Sequence, residues 1–299
     1  MNKKKYVNRN YLTTTRIIAL GFLITVIVGT ILLSLPIASA NGTWTDLLTA
    51  AFTSTTSVCV TGLVVVDTFS YWSLFGKGVI LILIQIGGLG IVSIITLFML
   101  LLRMKITLKS TMLLQDAFNL NSKQGLLKFT IKVIKGTFLI EGIGALIYSF
   151  YYCREYGFLK GIWFSVFHAV SAFCNAGIDI MGADSLISYH SNLLMMLNTS
   201  FLIIMGGIGF IVWWDTVEAF RRIRTKRCSI RSAWNGVHLQ TKIAIFMTLL
   251  LLIGGTIVIY FLERSNPDTL GNLSEKDRIL NAFFQSVTFR TAGFAAVSQ

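Results

Sequence analysis

Charge is scarce in this chain. Only 13% of its 299 residues are Asp, Glu, Lys or Arg, where a soluble domain carries about 25%. So few charges cannot cover a globular surface, and the lipid bilayer is the solvent and partner that fits. Cysteine is scarce too. Cys59, Cys153, Cys174 and Cys228 form no C-x-x-C pair, which supports neither a zinc site nor a disulfide framework and leaves them as small hydrophobes. No P-loop is visible, so no ATP-driven motor is expected in this chain. No convincing acid–base set is present. His168 and Cys174 lie close in sequence without a third orienting group, which argues against an enzyme. Gly87-Gly88-Leu89-Gly90 and Gly206-Gly207-Ile208-Gly209 sit in apolar runs with no βαβ context. That excludes a dinucleotide loop and predicts an outer helix packed closely against a loop.

What the chain has is apolar length: 54% of it is hydrophobic. A helix needs about 20 apolar residues to cross ~30 Å of hydrocarbon. Residues 17–35, 78–102, 129–153, 193–213 and 243–262 qualify as spans. The first follows a basic start but is longer than the 7–15 residues or so of a signal h-region, so it reads as a retained span, ended by Pro36. Three segments are too short and too mixed: residues 44–57, 161–174 and 277–287. Fourteen helical residues reach only ~21 Å. They read as re-entrant helices, tolerated at membrane depth only when protein or a water-filled cavity surrounds them. Residues 106–120 read as an amphipathic surface helix. Glu141, inside a span, should face protein or a cavity.

Each short segment runs into a loop that ends on glycine. The first is Ser57-Val58-Cys59-Val60-Thr61-Gly62, the second Ala172-Phe173-Cys174-Asn175-Ala176-Gly177, the third Phe289-Arg290-Thr291-Ala292-Gly293. The glycines recur at a spacing of about 115 residues, the mark of an internal repeat. A re-entrant helix places about half a negative charge at its C-terminal end. Converging ends favour a cation, and carbonyls of the extended backbone beyond can replace its hydration shell. Glycine suits the turn because it accepts positive φ and close backbone approach. Cys59, Val60, Thr61 and Gly62, then Cys174, Asn175, Ala176 and Gly177, then Arg290, Thr291, Ala292 and Gly293 are therefore the candidate ligand-bearing residues, through their main chain. Main-chain oxygens with few acids favour a monovalent cation over calcium. Arg290 is expected behind the filter, bracing it. Asp67 and Asp179 follow their loops and either concentrate cations at the mouth or are simply solvated loop acids.

The net charge is +13, and its distribution is topological. Nineteen of the 26 Lys and Arg lie in the tail up to Arg16, in residues 103–135 and in residues 221–242. By the positive-inside rule that side is cytoplasmic, with the three loops opening from the outside. No nucleic-acid partner is expected. The basic run Arg221–Arg227 could also touch anionic lipid.

The stretches from Val60 to Asp67, Phe167 to Gly177 and Arg290 to Phe294 closely resemble those of the Trk/Ktr/HKT potassium transporters. Gln85–Gly90 and Gly206–Phe210 fit the same family, and the likeness covers nearly the whole chain. It is closest to the membrane subunit of Ktr systems. The resemblance implies an all-α polytopic membrane protein of repeated M1–pore loop–M2 units, like a K⁺ channel. It also implies K⁺ as substrate with Na⁺ as a possible coupling or activating ion, no covalently bound cofactor, a homodimer, and a cytosolic nucleotide-binding regulatory ring (KtrA-like, of the RCK/KTN type). The expected location is a bacterial-type plasma membrane, multi-pass, with the N-terminus cytoplasmic.

On that pattern residues 1–102 form the tail and first repeat, 103–127 a cytoplasmic connector, 128–220 the second repeat, 221–238 a basic connector, and 239–299 the first helix and pore loop of a third. Cys59 stands where a hydroxyl residue is common in the family, and Phe289 where a proline or small residue is. A fourth glycine falls near ~409 by the same period, so the chain resembles a member cut short, with two and a half to three of four repeats. The function expected is potassium translocation driven by membrane potential. The rivals are a non-conducting or regulatory membrane subunit, and a different cation or solute transporter with inverted repeats.

Overall fold

The computed structural model describes residues 14–90, 93, 94, 96, 126–182, 185–226 and 229–297. The basic tail, the surface helix expected over 106–120, Cys228 and most of the 103–127 connector lie outside the described residues. Within them the chain is helical, and its single β-bridge joins Ser39 to Trp72.

Helix α1 (Thr14–Ser34) is followed by the short helix α2 (Leu47–Cys59), the single turn α3 (Thr68–Tyr71) and α4 (Leu74–Leu89). The same order returns as α5 (Leu126–Tyr156), the short α6 (Phe158–Phe173) and α7 (Leu193–Gly207), which continues as α8 (Phe210–Lys226). The small α9 (Ile230–Asn235) leads to a third set, α10 (Leu239–Glu263) and the short α11 (Glu275–Thr291). Among the described residues three helices are long and apolar enough to cross a membrane: Arg16–Ser34, Lys128–Tyr156 and Leu239–Glu263. The pair α7 and α8 makes a fourth if the bent pair is one span.

Two of these short helices, α2 and α11, start on polar caps. Asp46 accepts from the amides of Leu48 and Thr49 at 3.1 and 3.4 Å, and Ser274 from Asp277 at 3.3 Å. These satisfy donors that a helix start leaves open. Helix α6 starts at Gly157 without a side-chain cap.

Each short helix is sheathed by its own long helix: α2 by α1, α6 by α5, α11 by α10. In the first and third sets the contact is built alike. Ser54 Oγ donates to the Val26 carbonyl at 2.8 Å, and Gly29 makes room for it. Ser286 Oγ donates to the Leu252 carbonyl at 3.0 Å, beside Gly255. The second set uses Ala169, fully buried, at the serine's place. Contact also passes from one set to the next, since α4 touches α6 and α7 touches α11. The sets therefore stand side by side around a shared interior, where Trp72, Tyr148, Tyr152, Phe167, Phe284 and Phe294 are fully buried. The outer faces of α1 and α10 remain apolar and exposed, with Leu23, Ile31, Phe246 and Ile253 more than half accessible.

Two expected spans form differently. Residues 78–102 do not make one helix: α4 stops at Leu89, and Gly90 takes φ +79°, while residues 97–102 lie outside the described residues. Residues 193–213 are not one straight helix either, because α7 and α8 meet at 100° across Ile208 and Gly209. Gly209 has φ +95°, a value that ends a right-handed helix and that glycine adopts without steric cost.

Candidate functional site: three glycine loops on one cavity

Each short helix ends by folding its chain back on itself. The Thr61 amide donates to Thr56 O at 3.0 Å, the Ala176 amide to Ser171 O at 2.8 Å, and the Gly293 amide to Thr288 O at 3.2 Å. These six-to-one bonds satisfy carbonyls that the helix end would otherwise leave open. In the first two loops the left-handed residue that permits the turn is Val60 (φ 57°) or Asn175 (φ 61°). Asparagine tolerates that region, whereas a β-branched valine is strained there. The third helix runs one residue further, and Gly293 itself (φ 84°) receives the turn. The structure therefore places Cys59, Arg290 and Thr291 in the last helical turn, not in extended backbone.

Beyond the turn, Gly62 (φ 78°), Gly177 (φ 65°) and Gly293 all have left-handed φ. All three line one cavity of about 330 Å³. The loops touch through backbone. A Cβ on Gly62 would lie 2.6 Å from the Ala176 carbonyl oxygen, and one on Gly177 would lie 1.7 Å from that of Ala292. At Gly177 conformation and space both demand glycine. The structure thus brings Gly62, Ala176, Gly177, Ala292 and Gly293 together. Asp67 and Asp179 line the same cavity. Asp67 also caps α3, accepting from the Phe69 and Ser70 amides at 3.2 and 3.0 Å and from Ser70 Oγ at 2.5 Å. Partial burial opposes its charge, but the bonds from Ser70 and Phe69 and the nearby Lys77 outweigh it and hold the carboxyl below its usual range.

Cys59, Cys174 and Arg290, each three residues before its glycine, have different surroundings. Cys174 is buried, with its sulfur against Gly88 of α4 and 4.0 Å from Glu141 Oε1. Arg290 lays Nη2 against Gly207 of α7, while its buried Nη1 has no hydrogen-bond partner. Cys59 is exposed. The glycine-rich ends of α4 and α7 work as wedges. Gly87 sits on the Val58 carbonyl and Gly206 on the Phe173 carbonyl, where a Cβ would lie 2.1 and 1.7 Å away. The next glycine of each, Gly88 or Gly207, meets the loop of the following set. This is the close helix-on-loop packing that the two glycine clusters predict. Glu141 is buried and accepts from Gln85 Nε2 of α4 at 3.0 Å. His168 is enclosed by Tyr148, Tyr152, Phe164 and Phe167, with Nδ1 2.8 Å from the Phe164 carbonyl.

Sequence reasoning missed the hydroxyls that hold the loops. Thr56 Oγ1 pairs with Thr61 Oγ1 at 2.6 Å and accepts the Leu63 amide at 3.0 Å. Ser171 Oγ donates to the Ile178 carbonyl at 2.5 Å, and Thr288 Oγ1 to the Phe294 carbonyl at 3.0 Å. In every loop a hydroxyl on the short helix grips the residue just after the glycine. The signal was present: a hydroxyl residue precedes Gly62 and Gly177 by six positions and Gly293 by five. Among the described residues no cluster of three or more His, Cys, Asp and Glu is arranged to hold a metal ion.

The family model described as cation transport protein, TrkH, matches residues 3–299. The potassium/sodium uptake protein NtpJ of Enterococcus hirae is 41% identical over 289 residues, covering 97% of this chain and 61% of that protein. The Ktr system potassium uptake protein B of Bacillus subtilis is 39% identical over 295 residues, covering 98% and 63%. That of Vibrio alginolyticus is 34% identical over 282 residues, covering 94% and 59%. The chain thus spans about 60% of the length of these relatives.

Proposed function

The chain belongs to the TrkH cation transport protein family, and from that premise we propose that it is the ion-translocating subunit of a Ktr-type potassium uptake system. Such proteins move cations and are not enzymes. The observation that carries the reading is that Gly62, Gly177 and Gly293, all at left-handed φ, share one cavity with main-chain carbonyls between them. Carbonyls from Val60 to Gly62, Asn175 to Gly177 and Thr291 to Gly293 take the place of water around K⁺. Cys59, Cys174 and Arg290 contribute the next carbonyl below, at the helix ends. The C-terminal ends of α2, α6 and α11 add partial negative charge, and Asp67 and Asp179 draw cations to the mouth. The inside-negative potential contributes about 2.3 kcal/mol per 100 mV for each charge, so accumulation needs no nucleotide hydrolysis in this subunit.

In the cell membrane the basic side faces the cytoplasm, the N-terminus with it, and the loops open outward. The unit boundaries at 102, 127, 220 and 238 follow from that topology. Relatives named for a Ktr system support a multi-subunit assembly, here a homodimer on a cytosolic nucleotide-binding ring. A relative named for potassium and sodium supports Na⁺ as a second ion. The test is growth on limiting potassium of cells without their own potassium transporters. The full product of the gene restores growth, and Gly62→Ser lowers the preference for K⁺ over Na⁺. Absence of rescue, or a preference untouched by that substitution, removes the reading.

A further inference from the structure

Asn175 and Thr291 contribute more than backbone to their loops. Thr291 Oγ1 donates to Asn175 Oδ1 at 2.8 Å, from the third loop to the second. The bonds made by Thr56, Ser171 and Thr288 all stay within their own loop. Asn175 is held at its other end as well: Nδ2 donates to the Phe173 carbonyl at 3.2 Å, and the residue occupies the left-handed region at φ 61°.

A second, independent feature closes on the same bond from behind. Helix α7 ends on Gly206 and Gly207. A Cβ on Gly206 would lie 1.7 Å from Phe173 O and 2.7 Å from Asn175 Nδ2. One on Gly207 would lie 2.9 Å from Arg290 Nη2, 3.6 Å from Asn175 Oδ1 and 3.7 Å from Thr291 Oγ1. The tie between the loops therefore rests on a helix end that carries no side chain, immediately before the 100° bend into α8.

A carbonyl cage prefers K⁺ only while its oxygens are kept from closing on the smaller Na⁺, or while their number and field are fixed. Either way the distance between neighbouring loops must be held. Each loop is held on its own helix by its turn and its hydroxyl grip; between the second and third sets, beyond the Leu186 amide bond to the Ala295 carbonyl at 3.0 Å, no strand ladder spans the loops among the described residues. We propose that the Thr291–Asn175 side-chain bond is a strap that sets the spacing of the second and third loops and, through it, the preference for K⁺ over Na⁺. The proposal rests on the carbonyl-filter reading above. Asn175 and Thr291 act here as positioning residues, through side chains that do not themselves meet the ion.

The test is the ratio of K⁺ to Na⁺ uptake by the full gene product in transporter-deficient cells, with membrane content measured alongside. Thr291→Val keeps the shape and removes the donor. Asn175→Gly keeps the left-handed backbone and removes the acceptor. Each is expected to lower the ratio about fivefold, the equivalent of one ordinary hydrogen bond. The double variant should fall no further than either single, because both remove the same bond. Thr291→Ser, which restores the donor, should recover the ratio. If one single variant fails to reach the membrane, the other together with Thr291→Ser carries the test. A normal ratio in Thr291→Val or Asn175→Gly, or a double variant that falls by the product of the two, overturns the strap. Gly293→Ser, whose Cβ would meet open space, serves as the control for the underlying reading. Lost preference there with a normal Thr291→Val ratio means that the filter stands and the strap fails, whereas unchanged preference in both means that the filter reading itself is at fault.

Discussion

Cys59 and Cys174 hold the same place in successive loops, one residue before the left-handed turn, yet Cys59 is exposed and Cys174 is buried. The difference lies in the neighbour and not in the loop. Cys174 is covered by Gly88, at the end of α4 from the preceding set, just as Arg290 is covered by Gly207 at the end of α7. Each glycine-rich helix end serves two loops: its first glycine seats its own short helix, and its second seats the next. No described helix covers Cys59 in that way. The first loop relies on its own hydroxyls, Thr56 and Thr61, while the second and third are tied to each other. A repeat in sequence is thus an unequal repeat in space, because each unit is completed by the one before it.

The comparison breaks most sharply at the glycines. Gly177→Ala combines a backbone φ of +65° with a Cβ 1.7 Å from the Ala292 carbonyl, and should abolish rescue of growth on limiting potassium. Gly62→Ala meets the Ala176 carbonyl at 2.6 Å and should come next. Gly293→Ala has open space at its Cβ, so it should cost only the left-handed strain of roughly 1–2 kcal/mol and keep measurable uptake. Equal losses at all three would show that crowding between loops is not what matters.

A smaller effect separates the two wedges. Gly88→Ala meets a side chain, since its Cβ would lie 2.3 Å from Cys174 Sγ. Gly206→Ala meets backbone, the Phe173 carbonyl at 1.7 Å. Because the Cys174 Cβ would itself lie 2.6 Å from the methyl added at Gly88, Cys174→Gly and not Cys174→Ala should recover most of the stability lost in Gly88→Ala, read as melting temperature in detergent, whereas no side-chain truncation should rescue Gly206→Ala. Strained contacts of this kind cost about 1–3 kcal/mol.

Thiol chemistry tests the covering directly. A membrane-impermeant thiol reagent applied to this chain in detergent should modify Cys59 quickly and leave Cys174 unmodified until the protein unfolds, as read by the mass of the peptides. Equal labelling would contradict the burial described.

The smallest effect belongs to the mouth. Because the Asp67 carboxyl is held below its usual range, it binds fewer protons folded than unfolded. Its contribution is present above the ordinary aspartate value near 3.8 and is lost as pH falls through the lower folded value. Asp67→Asn should lower thermal stability slightly at neutral pH, and the gap to the parent should close in strong acid. A gap that widens on acidification would reverse the sign.

Much of this was legible before any coordinates. Runs too long for a soluble core gave α1, α5 and α10, and runs too short to cross gave α2, α6 and α11. The glycine clusters foretold helix ends pressed on loops. The breaks at Gly90 and Gly209 were not foreseen, because hydropathy measures burial in lipid and is blind to φ: Ile208 and Phe210 read as membrane whether the helix bends or not. The Thr56, Ser171 and Thr288 grips were hidden for a related reason, since a hydroxyl inside a helix has a carbonyl four residues back as its default partner.

The sequence by itself determined that lipid is the solvent, that three loops recur at one period, and that glycine ends each of them. These are matters of composition and spacing, and both are written along the chain. Only the tertiary structure decided which loop leans on which helix, that Asn175 meets Thr291 across 116 residues, and that one of two equivalent cysteines is covered. Such contacts depend on the relative placement of units, and a one-dimensional period carries no information about how neighbouring units meet.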